Sequence, residues 1–257
     1  MNLFSYFKIN NITLTNFLLA CMPASFIAGN MLININMLLL IFTSFFFFQK
    51  DIFKIKYYAL DKLIFLFFLM VLFTGVYNDL FFIFTTDLDN LKGFHTTFKS
   101  IFFLKYLFLY LVLRYLVEKR LINLKFFYFS SAFCSLFVCI DIFYQFTFGV
   151  DIFGYDIIHP RKLSGPFGDE LIAGGYLQRF SIFSFFILPL FFKDQSKHIT
   201  TYATIFLFLI VFIAIIISGN RMPLLSFLLL ISLILIFQKQ TRKIIFPFVV
   251  IFILIFY

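Results

Sequence analysis

Apolar residues in this chain fall into long runs separated by short polar stretches. Nine runs stand out, at roughly 13–29, 31–48, 63–84, 98–117, 126–149, 171–192, 201–218, 222–237 and 244–257. A hydrocarbon core of about 30 Å is crossed by about 20 apolar residues in a helix. Such lengths suit membrane-crossing helices, though the first, seventh and eighth are short. Backbone groups in lipid must be hydrogen-bonded internally, which makes helices the expected form. The pattern therefore predicts an all-α, polytopic integral membrane protein with about nine transmembrane helices. It forms a single transmembrane domain over 1–257, with no internal repeat and no appended soluble domain. Pro23, Pro189 and Pro247 lie inside runs, where kinks are expected.

The polar stretches set an orientation. Stretch 49–62 holds Lys50, Lys54, Lys56 and Lys62, and 118–125 holds Lys119, Arg120 and Lys125. Stretch 193–198 holds Lys193 and Lys197, and 238–243 holds Lys239, Arg242 and Lys243. These alternate with poorer stretches at 29–30, 85–97, 150–170 and 218–223. The positive-inside rule places the cationic set, and the N-terminus with Lys8, in the cytoplasm. The 150–170 loop is then extracytoplasmic.

Composition narrows this further. Only 13% of the residues are charged, against about 25% in soluble domains. A net charge of +9 would suggest nucleic acid in a soluble protein. Here the charge sits in loops between apolar runs, so topology explains it and no nucleic-acid partner is expected. Phe occurs 47 times beside abundant Ile, Lys and Asn. That is the bias of an AT-rich genome, so no aromatic function is read from it. Cys21, Cys134 and Cys139 lie in apolar runs, which argues against a disulfide framework. The Cys134–Cys139 spacing does not suit zinc, so they are read as core residues. The first run follows MNLFSYFKINN without an A-x-A-like site, so it is read as an uncleaved helix. Walker, G-x-G-x-x-G, H-E-x-x-H and G-x-S-x-G patterns are absent from the sequence. No cofactor or metal is expected, and any donor substrate is expected to be membrane-bound.

Candidate chemistry gathers in RKLSGPFGDELIAGGYL, residues 161–177. Arg161 and Lys162 are cations on the side where cations are disfavoured. Two readings stay open for them. They could pair with Asp169 and Glu170 across a Gly-Pro turn, or bind an anion through the planar fork of Arg and the point charge of Lys. Gly165, Pro166 and Gly168 suit a sharp turn. Asp169 is placed to cap the sixth helix, with Glu170 in its first turn. Ala173, Gly174 and Gly175 would admit a close neighbour. His159 is the proton carrier nearest to Arg161 in sequence.

Charges inside runs are costly in hydrocarbon. Arg179 lies about eight residues into the sixth run, or roughly 12 Å. Asp141, Lys105 and Asp79 also fall in outer halves of their runs. Either they form buried pairs, such as Lys105 with Asp141, or they line an outward cavity with cations left for an anion. Arg221 begins the eighth run with no acid near it in sequence. Lys99 and Arg114 are expected to snorkel to the two interfaces.

Two segments together resemble the O-antigen ligase and polymerase family of bacterial envelope enzymes. Arg161, Ser164, Gly165 and Phe167 are similar to its Arg-(x)-x-Ser/Thr-Gly-x-Phe signature. SGNRMPLLSFLLL, residues 218–230, is similar to a second Arg-bearing turn, with Arg221 and Leu225 in an Arg-x-x-x-Leu spacing. The likeness extends over about 150–237, and 161–237 forms the family-like core segment. The resemblance implies a glycosyltransferase of the bacterial inner membrane, acting at its periplasmic face. Its donor would be a glycan on undecaprenyl pyrophosphate, transferred to lipid A–core or to a growing polysaccharide. It assigns pyrophosphate binding to Arg161 and Arg221. Lys162 joins them as a neighbouring cation, and Arg179 by depth and charge. The family's later periplasmic loop, with its histidine base, has no counterpart before Tyr257. His95, His159 and His198 do not replace it, so no catalytic base is assigned. The last run stops after about 14 residues, short of a span. Either a truncated member or a short natural terminus is expected. A transporter or flippase for an anionic lipid or solute would also carry intramembrane charges, and an inactive fragment is the third reading.

Overall fold

The computed structural model describes residues 3–85, 94–187 and 197–237. The fold is all-helical, and no β-strand occurs among the described residues. Ten helices follow in order: α1 (Leu3–Ala20), α2 (Met22–Ile27), α3 (Asn30–Phe48), α4 (Ala59–Thr85), α5 (His95–Phe103), α6 (Lys105–Glu118), α7 (Leu124–Phe148), α8 (Ala173–Phe185), α9 (Lys197–Ile217) and α10 (Arg221–Phe237). Four stretches are long and apolar enough to cross a membrane: Asn30–Phe53, Ala59–Phe81, His95–Glu118 and Leu124–Phe148. The ninth predicted run, the cationic stretch 238–243, Pro189 and Pro247 lie outside the described residues.

Several predicted runs are remodelled. The first breaks at Cys21, with Pro23 in the opening turn of α2, where its missing N–H costs no helix bond. The fourth divides at Leu104 into α5 and α6. The sixth begins at Ala173, two residues later than expected. Asn123 caps α7 by accepting the Lys125 N–H at 3.2 Å. Gly149 ends it in the left-handed conformation, its N–H bonded to the Gln145 carbonyl.

The chain forms two compact units. Unit 1 comprises Met1–Leu18 and Asn34–Ile122, and unit 2 comprises Leu19–Ile33 and Asn123–Tyr257. Unit 1 packs Phe48, Ile52, Leu111, Val112, Tyr115 and Leu116 into one core. Its helices α4 and α5 approach closely at Gly75, where a Cβ would overlap Ser100 Oγ. The core of unit 2 takes residues from α7, α8, α9 and α10, centred on Val138, Ile142, Leu177, Val211, Ile215 and Phe227. Cys134 and Cys139 are buried there as thiols.

Charges within unit 1 are closed by its own groups. Asp61, 2% exposed, accepts the Tyr58 N–H at 2.6 Å and the Tyr110 hydroxyl, and lies 3.5 Å from Arg114 Nε. Arg114 also lies 3.4 Å from Glu118 Oε2. It further donates to the Lys56 carbonyl at 3.4 Å, in the cationic stretch 49–62. Asp79 accepts the N–H groups of Thr96 (3.2 Å) and Thr97 (2.6 Å) in the first turn of α5. It does for α5 what an N-cap side chain would, since Phe94 at that position has none to offer.

The expected Lys105–Asp141 pair is corrected by the partners each residue takes. Lys105 Nζ donates to Asn34 Oδ1 at 2.5 Å and lies over the Tyr106 ring. Asp141 accepts the Ile152 N–H at 2.7 Å. Both charges are met by neutral polar groups, one on another helix and one on the loop after α7.

Candidate functional site

The stretch between α7 and α8 is folded down onto unit 2 rather than left as an open loop. Asp151 accepts the Tyr155 N–H at 2.7 Å and donates its own N–H to the Tyr155 carbonyl at 3.0 Å, closing a tight loop. Isolated bridges then join Val150 to Asp156 and His159 to Lys162. Leu163, Ser164, Gly165 and Pro166 are buried. Gln145 on α7 holds them by accepting the Gly165 N–H at 2.9 Å and donating to Ser164 Oγ at 3.3 Å. Gly165 and Gly168 have φ of +55° and +57°, a region that favours glycine, so the expected sharp turn is present.

The same stretch meets the turn between α9 and α10. The Leu163 N–H donates to the Ser218 carbonyl at 3.2 Å. A Cβ on Gly219 would overlap the Arg161 carbonyl oxygen. Gly174 packs against this turn as well: a Cβ there would lie 2.5 Å from Ser218 Oγ and 3.0 Å from Asn220 Cβ. The close approach expected at the small residues of α8 is therefore made by the 218–220 turn.

The four candidate cations are distributed around this junction. Arg161 is exposed and Lys162 is half-buried, its N–H bonded to the His159 carbonyl at 3.1 Å. Arg221 is exposed in the first turn of α10. A cation there faces the positive end of the helix dipole, an arrangement that does nothing for helix stability. Arg179 is six residues after the start of α8, about 9 Å along its axis rather than 12 Å. It lines a cavity of about 670 Å³ within unit 2. Phe26, Phe180, Tyr155, Asn30, Asn220 and Glu170 are among its other walls. Arg161, Lys162 and Arg221 are not among the lining residues.

Ion pairing across the Gly-Pro turn is overturned. Among the described residues no carboxylate lies within 4.0 Å of Arg161, Lys162, Arg179 or Arg221. Glu170 instead accepts from Asn30 Nδ2 at 3.2 Å. The expected capping role of Asp169 and Glu170 also fails. The residue before α8 is Ile172, with no side-chain cap, and Asp169 and Glu170 stand exposed ahead of it. The extra residues between Gly168 and the helix move both acids out of reach of its first N–H groups.

His159 has a local task, accepting the Arg161 N–H on Nδ1 at 3.2 Å. Gln145 and Asn220 are contributors that sequence reasoning missed. Gln145 had a signal, as a polar side chain four residues after Asp141 in an apolar run. Asn220 had only its place beside Arg221. Among the described residues no group of three His, Cys, Asp or Glu side chains could hold a metal ion. Comparison with family models, with curated proteins and with solved structures finds no match.

Proposed function

We propose that the chain is a membrane glycosyltransferase of the ligase or polymerase type. It takes a glycan from undecaprenyl pyrophosphate and passes it to lipid A–core or to a growing polysaccharide. In this reading the chain lies in a bacterial inner membrane with a cytoplasmic N-terminus and about nine spans. The 150–170 loop then faces the periplasm. The observation that carries the reading is the junction itself. The two segments that resemble the family, 161–177 and 218–230, fold against each other through Leu163, Ser218 and Gly219. Arg161 and Arg221 flank that junction with no carboxylate beside them among the described residues, and Arg179 lines the adjoining cavity.

Chemically, the leaving pyrophosphate gains negative charge as the glycosidic bond breaks. Positioned guanidinium groups stabilise that charge. Arg161→Ala and Arg221→Ala, introduced into the complete reading frame, are expected to abolish glycan attachment while leaving the protein at its normal level in the membrane. Normal glycan display in both variants would sink the proposal. Movement of labelled lipid-linked glycan across vesicles of purified protein, with no acceptor present, would favour a flippase instead.

A further inference from the structure

The cavity that Arg179 lines also contains a carboxylate with spare capacity. Glu170 is exposed, and its Oε1 accepts from Asn30 Nδ2 at 3.2 Å. Among the described residues no Lys, Arg or His lies within ion-pair distance of it. Its second oxygen, Oε2, takes no hydrogen bond among the described residues, and Glu170 lines the cavity. The neighbouring groups cannot take a proton in its place. The guanidinium of Arg179 offers donors only, the amides of Asn30 and Asn220 have no basic nitrogen, and the Tyr155 phenol is a far weaker base than a carboxylate. The Tyr176 hydroxyl is occupied with the Pro23 carbonyl at 2.9 Å. His159 bonds its own loop and is not among the cavity's walls. Asn30 meanwhile fixes the carboxylate by one oxygen, which orients the other.

We propose that Glu170 is a catalytic residue, the group that accepts the proton of the acceptor hydroxyl, a role that rests on the transferase reading above. The hydroxyl oxygen attacks the anomeric carbon as its proton passes to Glu170 Oε2. A new carbon–oxygen bond forms, and the bond from the anomeric carbon to the pyrophosphate oxygen breaks. The electron pair leaves with pyrophosphate, whose added charge falls near Arg179. Glu170 then returns the proton to water. One cavity thereby holds both a proton acceptor and a cation for the leaving group, as the reaction requires.

The test uses the full chain in membranes of the organism that carries it, with the endogenous lipid-linked glycan pool as donor. Glu170→Gln is expected to slow transfer by roughly 100-fold or more, with the amount of donor co-purifying with the protein unchanged. Sodium formate should restore part of the rate to Glu170→Ala. Wild-type transfer by Glu170→Gln would overturn the assignment. So would loss of bound donor together with failure of formate rescue, which marks a structural role. Failure of the wild-type protein itself to transfer glycan would instead bring down the transferase reading.

Discussion

The two units of this chain treat charge in opposite ways. In unit 1, Asp61 is closed by a backbone N–H, a phenol and Arg114, and Asp79 by the amides that open α5. Lys105 has Asn34. These three each tie one helix to another. In unit 2 the acids Asp141 and Asp151 are bonded through one oxygen each, to backbone N–H groups. The cations Arg161, Lys162, Arg179 and Arg221 have no acid within reach among the described residues. A buried charge with a partner is a structural tie. On the proposed reading, a ligand supplies the counter-charge to Arg179, which lines the cavity of unit 2.

A crossed pair of substitutions breaks that comparison most directly. Arg179→Ala should lower glycan transfer by roughly 100-fold while leaving the melting temperature of the purified protein unchanged. Asp61→Asn should do the reverse, lowering the melting temperature by removing a charge that Arg114 and Tyr110 depend on, with transfer retained at permissive temperature. Unfolding can be followed with a thiol-reactive dye, because Cys134 and Cys139 are buried and free. A fall in melting temperature for Arg179→Ala would show that unit 2 uses its cations structurally too.

The next effect tests the junction. Gly219 has φ of +71°, and a Cβ there would overlap the Arg161 carbonyl. Gly219→Ala combines left-handed strain with overpacking, together roughly 3 kcal/mol. It should loosen the contact between the two family-like segments and cut transfer along with stability. Gly29 has φ of +103° with nothing near its Cβ position. Gly29→Ala therefore carries strain alone and should cost less. Equal losses in the two variants would mean that the close approach contributes nothing.

Much of the framework was legible from composition and run length, because hydrocarbon allows few alternatives to a helix. What was not legible follows from the same physics. Pro23 marked the first run for a kink, and the break falls just before it, at Cys21. Run length cannot show where a helix divides, so the break at Leu104, with no glycine or proline to mark it, was invisible. The charge pairing was misjudged because sequence suggests opposite charges, whereas Lys105 and Asp141 found neutral partners. At the candidate site, RKLSGPFG announced a turn through its glycines. Nothing in the sequence showed that Gly219 would receive that turn, since the contact is backbone to backbone. Glu170 looked like part of a helix start, and only the late beginning of α8 exposed it to the cavity.

A smaller effect concerns the tie between α7 and the buried loop. Gln145→Ala removes both the acceptor for the Gly165 N–H and the donor to Ser164 Oγ, inside the fold. Leaving that buried N–H without a partner costs about 2 kcal/mol. The expected result is an earlier melting transition with full restoration in Gln145→Glu at acidic pH, where a protonated carboxyl can both accept and donate. No change in Gln145→Ala would mean that the loop is held by Leu163 and Ser218 alone.

The smallest effect lies in unit 1, at the Lys54–Asp51 pair. Lys54 Nζ donates to Asp51 Oδ1 at 2.8 Å, and both side chains are well exposed. The hydrogen bond to Asp51, followed by its charge, raises the Lys54 pKa above the ordinary lysine value. A group whose pKa is raised on folding stabilises the fold below its unfolded pKa, and that contribution fades as pH rises through the folded one. Any contribution is therefore complete at neutral pH and vanishes only in strongly alkaline solution. Water and salt screen an exposed pair, so its net effect should be undetectable. Asp51→Asn is expected to melt with the wild type at neutral pH, in low and in high salt. A salt-sensitive loss of stability would show that unit 1 relies on its surface charges as well as its enclosed ones, and the contrast with unit 2 would have to be redrawn around exposure instead of pairing.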